Sequence, residues 1–554
     1  MPKQFAERPA PAVLCPHGHW QNGNAHPDVQ ARCLALAKLG YVVFSPTQNH
    51  YEDPALGISH QTLMIWNNIR ALDLLESLPE VDKARIGVTG ASGGGLQTQM
   101  LVALDPRVRA ATIVGMTCDY REILFPGAVH CGCNHFPNIM RHTDEPELSA
   151  LGLPCPVQYL TMNDWTRTFE QANYPTVRRL YELHGLSGRT DCRYEPTAHS
   201  YDKSKRERMY AWMEKWLRGQ DHGGALPEPE VKALPVDAVV KLKADAPGNK
   251  GFSQISRIYA EKHRYVTPNI TSRQDWEACR DRMRAALREL LGEPTPPRET
   301  ARFVRTEERD GLTVERVLYP SEANILVPTL ILRPTAAKGQ LPVVVLCDAR
   351  GKDALLSEMG ENSPTEQARR GALVVLPDVR FIGELALESM AGLSEGLLTF
   401  KPCSLVREGA ADKFSAVWQR NALLWGRPLP GMTATDLNAV VAAVAVRPDA
   451  DLESITLVAR DSLAPAALFA AAFDDRIAAL EVDLAGKCFE TRRPPLVPFV
   501  LRHGDVLQWS ALLATRRLTL AGLPKEAGDP AWLRDVFRAV GNPDGLKLHE
   551  ARQG

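Results

Sequence analysis

The stretch Ile86-Gly87-Val88-Thr89-Gly90-Ala91-Ser92-Gly93-Gly94-Gly95 decides how the chain is read. An apolar run enters Gly-x-Ser-x-Gly, and a helical pattern, Leu96-Gln97-Thr98-Gln99-Met100-Leu101, leaves it. Strand, tight turn and helix in that order make a nucleophile elbow. Gly90 and Gly94 leave room where a Cβ would meet the neighbouring strand and helix. The hydroxyl of Ser92 then stands at the carboxyl end of a strand, with a helix N-terminus behind the reacting carbonyl. A plain glycine-serine turn is the competing reading of the motif alone, and the flanking pattern argues against it.

Working outward, the first 220 or so residues alternate strand and helix. Strands are expected at Ala12–Cys15, Tyr41–Ser45, Arg85–Thr89, Ala110–Gly115 and Val157–Thr161. Helices are expected at Val29–Leu39, Leu63–Leu78 and Met209–Leu217. Such alternation predicts an α/β fold, a mainly parallel sheet with helices on both faces. Residues 219–250 are rich in Pro, Gly and Ala and read as a linker. A helix follows, with Ser272 as N-cap, Asp275 three residues on, and Gly292 with Pro294 as its stop.

A serine hydroxyl needs a general base, and the base needs an orienting carboxylate. In this kind of sheet the chain order is serine, acid, histidine. Asp164 follows the strand Val157–Thr161 and is the candidate acid; a turn or cap aspartate is the plain alternative. His199, in the loop before the last helix, is the candidate base. His184, at a helix C-terminus, is its competitor. Backbone donors for an oxyanion are expected from Gly93 and from Gly18 or His19 in the loop Pro16-His17-Gly18-His19-Trp20. His17, Trp20, Trp165, Cys131, Cys133 and Arg141 are candidate pocket residues. The run His130-Cys131-Gly132-Cys133-Asn134-His135 holds zinc-type donors. Adjacent and alternate residues rarely converge on one ion without a second pair from elsewhere, so a pocket-shaping loop is expected, with no metal and no cofactor.

At 554 residues the chain exceeds one ordinary core. Its formal net charge of -1 argues against nucleic-acid or anionic-membrane binding. No apolar run approaches the roughly 20 residues that span a bilayer. The first 19 residues hold no apolar export core. The expected location is therefore cytoplasmic, or secreted or periplasmic if the natural N-terminus lies upstream. The 11 cysteines are scattered without the spacing of a disulfide scaffold.

The second half repeats the first. Ile455–Ala479 aligns with Ile86–Ala110 at a constant offset of 369. Ser92 falls on Asp461, Gly90 on Ala459 and Gly94 on Leu463. The second copy is therefore expected to lack both the nucleophile and the elbow. Three regions follow: 1–222, a catalytic domain; 223–300, a linker with an amphipathic helix; and 301–554, a degenerate domain of the same fold. Strand-like segments at Leu312–Leu318 and Thr329–Leu332 precede the second copy, and the first has almost nothing before Ala12.

The first domain resembles α/β-hydrolases of the acetyl xylan esterase and dienelactone-hydrolase-like esterase group, in the form with two tandem domains. The segments that carry the resemblance are Trp66–Asp73, Arg85–Gly95, Asp164-Trp165-Thr166, Tyr174-Pro175 and Ala198–Tyr201. It implies the nucleophile, acid and base roles for Ser92, Asp164 and His199. The group's Cys-x-Cys-Asn pattern is matched by Cys131, Cys133 and Asn134; the flanking His130 and His135 depart from it. The expected function is a serine ester hydrolase acting on short-acyl esters of small molecules or carbohydrates such as xylan. The alternatives are a prolyl-oligopeptidase-type peptidase and a hydrolase whose second domain binds a carbohydrate or a partner.

Overall fold

The computed structural model describes residues 9–48, 50–124, 132–239, 251–386, 419–491 and 496–550. The chain divides into two compact units, one holding 58–255 with the N-terminal segment to Glu52, the other built mainly from residues after 255. No helix among the described residues is long and apolar enough to cross a membrane.

In the first unit the strands are β1 (Ala10–Leu14), β2 (Val42–Phe44), β3 (Val81–Ala91), β4 (Val108–Val114), β5 (Val157–Thr161) and β6 (Thr190–Tyr194). Among the described residues they form one sheet in the order β2-β1-β3-β4-β5-β6, with every pairing parallel. Successive side chains face opposite sides. Leu14 and Tyr159 join one core with Leu72, Leu75, Phe169 and Tyr181. Val13 and Leu160 join the other with Leu36, Met209, Tyr210 and Met213. Helices α1 (Pro27–Lys38), α2 (His60–Ser77) and α3 (Gly93–Leu104) complete the layers. Helix α2 starts three residues before the expected Leu63, because Ser59 and Thr62 form a reciprocal capping box.

The expected linker is divided between the two units. Residues 226–234 lie on the first: Leu226 and Val231 pack against its core, and Glu228 pairs with Arg206 at 2.6 Å. The helix Arg273–Leu291, capped by Ser272 and Asp275 as the sequence indicates, belongs to the second unit. Its Trp276 Nε1 donates to Ala511 O at 2.8 Å.

The second unit contains β7 (Arg302–Arg309), β8 (Leu312–Glu322), β9 (Ile325–Pro334), β10 (Leu341–Cys347), β11 (Leu373–Pro377), β12 (Ala450–Arg460), β13 (Ala479–Asp483), β14 (Arg517–Ala521) and β15 (Leu546–His549). Its sheet runs β15-β14-β13-β12-β10-β11-β9-β8-β7. From β11 to β15 this is the six-strand order of the first unit again. β9, β8 and β7 extend it by antiparallel pairing. Among the described residues the first unit has no counterpart of these three strands.

One expectation about the second copy needs correction. The left-handed φ of the elbow survives without its glycines: Asp461 has φ +53°, against +57° at Ser92, although a 3₁₀ turn, Asp461–Leu463, follows where the first unit begins its helix. The strain sits on the central residue, and aspartate tolerates positive φ better than most. Asp461 is paired with Lys487.

Candidate active site

Ser92 closes β3 and opens α3, with φ +57° and ψ −127°. A conformation of this kind costs on the order of 1–3 kcal/mol, so its surroundings must hold it. The Ser92 amide donates to Val114 O at 2.9 Å. A Cβ at Gly90 would lie 2.4 Å from Gly94 O, and one at Gly94 only 2.5 Å from Pro16 O. The loop after β1 therefore presses on the elbow from above, and it is anchored from below. The guanidinium of Arg32, 1% exposed, donates to Pro16 O at 3.2 Å and lies over the Tyr201 ring.

Asp164 lies past the end of β5 and is buried. Its Oδ1 accepts from the Thr166 amide at 2.7 Å and the Thr166 hydroxyl at 2.6 Å. Its Oδ2 lies 2.7 Å from His199 Nδ1. An ionised carboxylate only accepts, so in the neutral imidazole Nδ1 carries the proton and Nε2 keeps the lone pair. Trp165 and Trp20 flank the imidazole, with ring centroids at 4.6 and 5.8 Å. A Cβ at Gly115, one residue beyond the acceptor of the Ser92 amide, would lie 3.4 Å from Asp164 Oδ2 and 3.5 Å from His199 Cε1. Acid and histidine thus meet at the carboxyl edge of β4 and β5, next to the strand that ends at Ser92. Ser92 Oγ and His199 share no hydrogen bond among the described contacts.

The loop expected to supply an amide donor is close to the elbow. A Cβ at Gly18 would stand 3.0 Å from Ser92 Cβ, and one at Gly93 would stand 3.1 Å from His19 Cε1. Gly93 begins α3, where an amide has no intrahelical acceptor. His17 is buried, its Nδ1 2.8 Å from Gly18 O, and burial lowers its pKa. Arg141 ends a short 3₁₀ turn, Ile139–Arg141. His130 and Cys131 lie outside the described residues. Cys133 and His135 are both buried.

Local sequence reading missed a polar brace beside the elbow. Gln97, buried in α3, bonds Gly93 O at 2.9 Å, Asn68 of α2 at 2.6 Å and Gln48 of the loop after β2 at 2.8 Å. Buried amides in otherwise apolar helices were the available signal. His50, two residues past Gln48, was missed as well. Its Nε2 lies 2.5 Å from His19 Nε2, and Cys133 Sγ lies 3.2 Å from the same His19 atom.

Residues 63–130 match the family model described as acetyl xylan esterase (AXE1). The matched span runs from α2 through the elbow. Over that span the chain is similar to acetyl xylan esterases, which are carboxylic ester hydrolases. YtaP of Bacillus subtilis (strain 168), which its name calls a hydrolase, is 24% identical over 161 residues. That alignment takes in 28% of this chain and 54% of the relative, so the chain spans about half the length of the curated relative it matches. Similar solved structures include an acetyl xylan esterase from Paenibacillus sp. R4 (14% identity, 53% of this chain, 92% of that one, TM-score 0.32). A glucuronoyl esterase from Solibacter usitatus is another (15% identity, 52% of this chain, 93% of that one, TM-score 0.36).

Proposed function

We infer that the first unit is a serine carboxylic-ester hydrolase in which Ser92 is nucleophile, His199 general base and Asp164 its orienting acid. The observation that carries this reading is the 2.7 Å bond between Asp164 and His199 Nδ1, beside a serine held at positive φ. Ser92 Oγ attacks the ester carbonyl carbon while its proton passes to His199 Nε2. The Ser92–His199 bond forms with substrate in place, since catalytic contacts tighten in the complex. The oxyanion takes amide hydrogens from Gly93 and from Gly18 or His19, and removing one such donor typically costs about 10²–10³ in rate. The C–O bond breaks, and the alcohol leaves with the proton from His199. Water then attacks the acyl carbon and loses its proton to His199; the bond to Ser92 Oγ breaks, His199 returns the proton to Oγ, and the acid departs.

The substrate class is a short acyl ester, acetyl above all, of a small molecule or carbohydrate. The family match to acetyl xylan esterase and the two tryptophans beside His199, flat surfaces suited to a sugar ring, support it. The second unit is read as non-catalytic: Asp461 stands in for the serine, and counting from the strand ends Pro524 stands where Asp164 does. The experiment is an ester panel varied in acyl length and alcohol, acetylated xylan included, with Ser92→Ala as control. Turnover of acetyl esters that disappears in the variant is expected. Turnover at the wild-type rate in Ser92→Ala contradicts the assignment.

A further inference from the structure

We propose that His19, His50 and Cys133 form a binding site for one divalent cation of the zinc type. His19 follows β1, His50 follows β2, and Cys133 sits in the 3₁₀ turn Gly132–Asn134. Three separate loops thus bring two imidazoles and a thiol together, with one ligand atom from each lying within 4.8 Å of the others. Both close contacts use the same atom: His19 Nε2 faces His50 Nε2 at 2.5 Å and Cys133 Sγ at 3.2 Å.

A ring nitrogen holds either one proton or one lone pair. His19 Nε2 therefore satisfies one of these neighbours at a time, and two imidazole lone pairs at this distance repel. A cation placed among all three donors removes the conflict. In a tetrahedral zinc site, bonds of about 2.0 Å to nitrogen and 2.3 Å to sulfur put the ligand atoms about 3.3–3.6 Å apart. The His19–Cys133 pair, at 3.2 Å, falls just short of this range. The His19–His50 pair has to open by about 1 Å, and His50 lies on an exposed loop. The donor set suits zinc or cobalt and is wrong for calcium or magnesium, which take oxygen ligands. Around it, the His50 ring meets His60 edge-on at 5.7 Å, and His60 Nε2 pairs with Glu52 at 3.2 Å.

The site is distinct from the ester chemistry yet touches it. The His19 ring packs on Gly93, so a cation held there would tie the loop after β1 to the start of α3. Its role is to fix that loop, and no step of the reaction passes through it.

The test uses chelator-treated full-length protein titrated with cobalt(II). One equivalent should produce a thiolate-to-cobalt charge-transfer band and tetrahedral d–d bands, and zinc should displace them. Cys133→Ser should abolish the charge-transfer band. His50→Ala, on the exposed loop, should weaken cobalt binding at least tenfold while the protein keeps its far-ultraviolet circular dichroism. Ser92→Ala should bind cobalt as wild type does, which separates this site from the esterase assignment. Wild-type protein without the charge-transfer band overturns the proposal. So does a band that survives in Cys133→Ser, or cobalt affinity unchanged in His50→Ala.

Discussion

The two units repeat one sheet, and they differ at the loops where chemistry is proposed. β3 and β12 occupy equivalent positions, residues 81–91 and 450–460. The turn after the next helix repeats down to an ion pair, Asp105 with Arg107 and Asp474 with Arg476, each at 2.6 Å. The repeat even resumes later. Asn138 and Phe499 are both left-handed, at φ 66° and 62°, and each precedes a 3₁₀ turn ending in arginine. Each turn is followed by a capping-box aspartate, Asp144 or Asp505.

Between these shared points the first unit has the longer loop. Asn138 comes 24 residues after Val114, whereas Phe499 comes 16 after Asp483. The extra length falls in the loop that carries Cys133. By the register of the paired strands, His19 corresponds to Arg350 and His50 to Phe381. Arg350 is occupied by Asp348 and Glu358. The second unit therefore keeps the scaffold while Asp461, Pro524, Arg350 and Phe381 stand at the positions of Ser92, Asp164, His19 and His50. Sheet packing tolerates that, because the core faces and the loop edge are separate regions of the same strands.

The largest effect is expected from Ser92→Ala, a fall of at least about 10⁴-fold in kcat on p-nitrophenyl acetate, as for nucleophiles of other serine hydrolases. Asp164→Asn should cost about 10⁴-fold with the fold intact, because the imidazole loses its correct tautomer; steady-state kinetics at pH 7 measure both. Gly94→Leu imports the second copy's residue. Its Cβ would meet Pro16 O at 2.5 Å, so a loss of about 1–3 kcal/mol in stability is expected from overpacking, read by urea unfolding, with most activity gone.

A smaller effect concerns pH. Burial holds the His17 imidazole below its ordinary pKa, so the unfolded chain takes up a proton that the folded chain resists. Its contribution to stability is complete above pH 6.5 and is lost as the pH falls below that value. The slope reaches at most about 1.4 kcal/mol per pH unit for one proton. His17→Gln should flatten that slope in thermal melts between pH 5 and 6.5. His503 in the second unit is shifted the same way by burial, so part of the slope should remain. The smallest effect is expected from Asp461→Ser, which should change turnover less than about twofold; esterase activity recovered by adding it to Ser92→Ala would erase the contrast between the units.

How much of this was legible beforehand follows from range in sequence. The elbow, the capped helix at Ser272 and the acid and base positions are local patterns, and each has a signature of a few residues. Asp461's positive φ was missed because the reading relied on flanking glycines, while the strain rests on the central residue. The brace of Gln48, Asn68 and Gln97 and the meeting of His19, His50 and Cys133 depend on contacts across 29 to 114 positions. No periodicity reports such contacts. Cys133 and His19 were singled out for other roles, and His50 became visible only once β1 and β2 were placed side by side.

Covalent chemistry is proposed to belong to a single serine of the first unit. A fluorophosphonate, which marks activated serines, should add once to the full-length protein, and peptide mass spectrometry should place the adduct on Ser92. Pre-incubation with an acetyl ester should slow the labelling. An adduct on Ser462 or another serine, or none while ester turnover continues, would contradict the account.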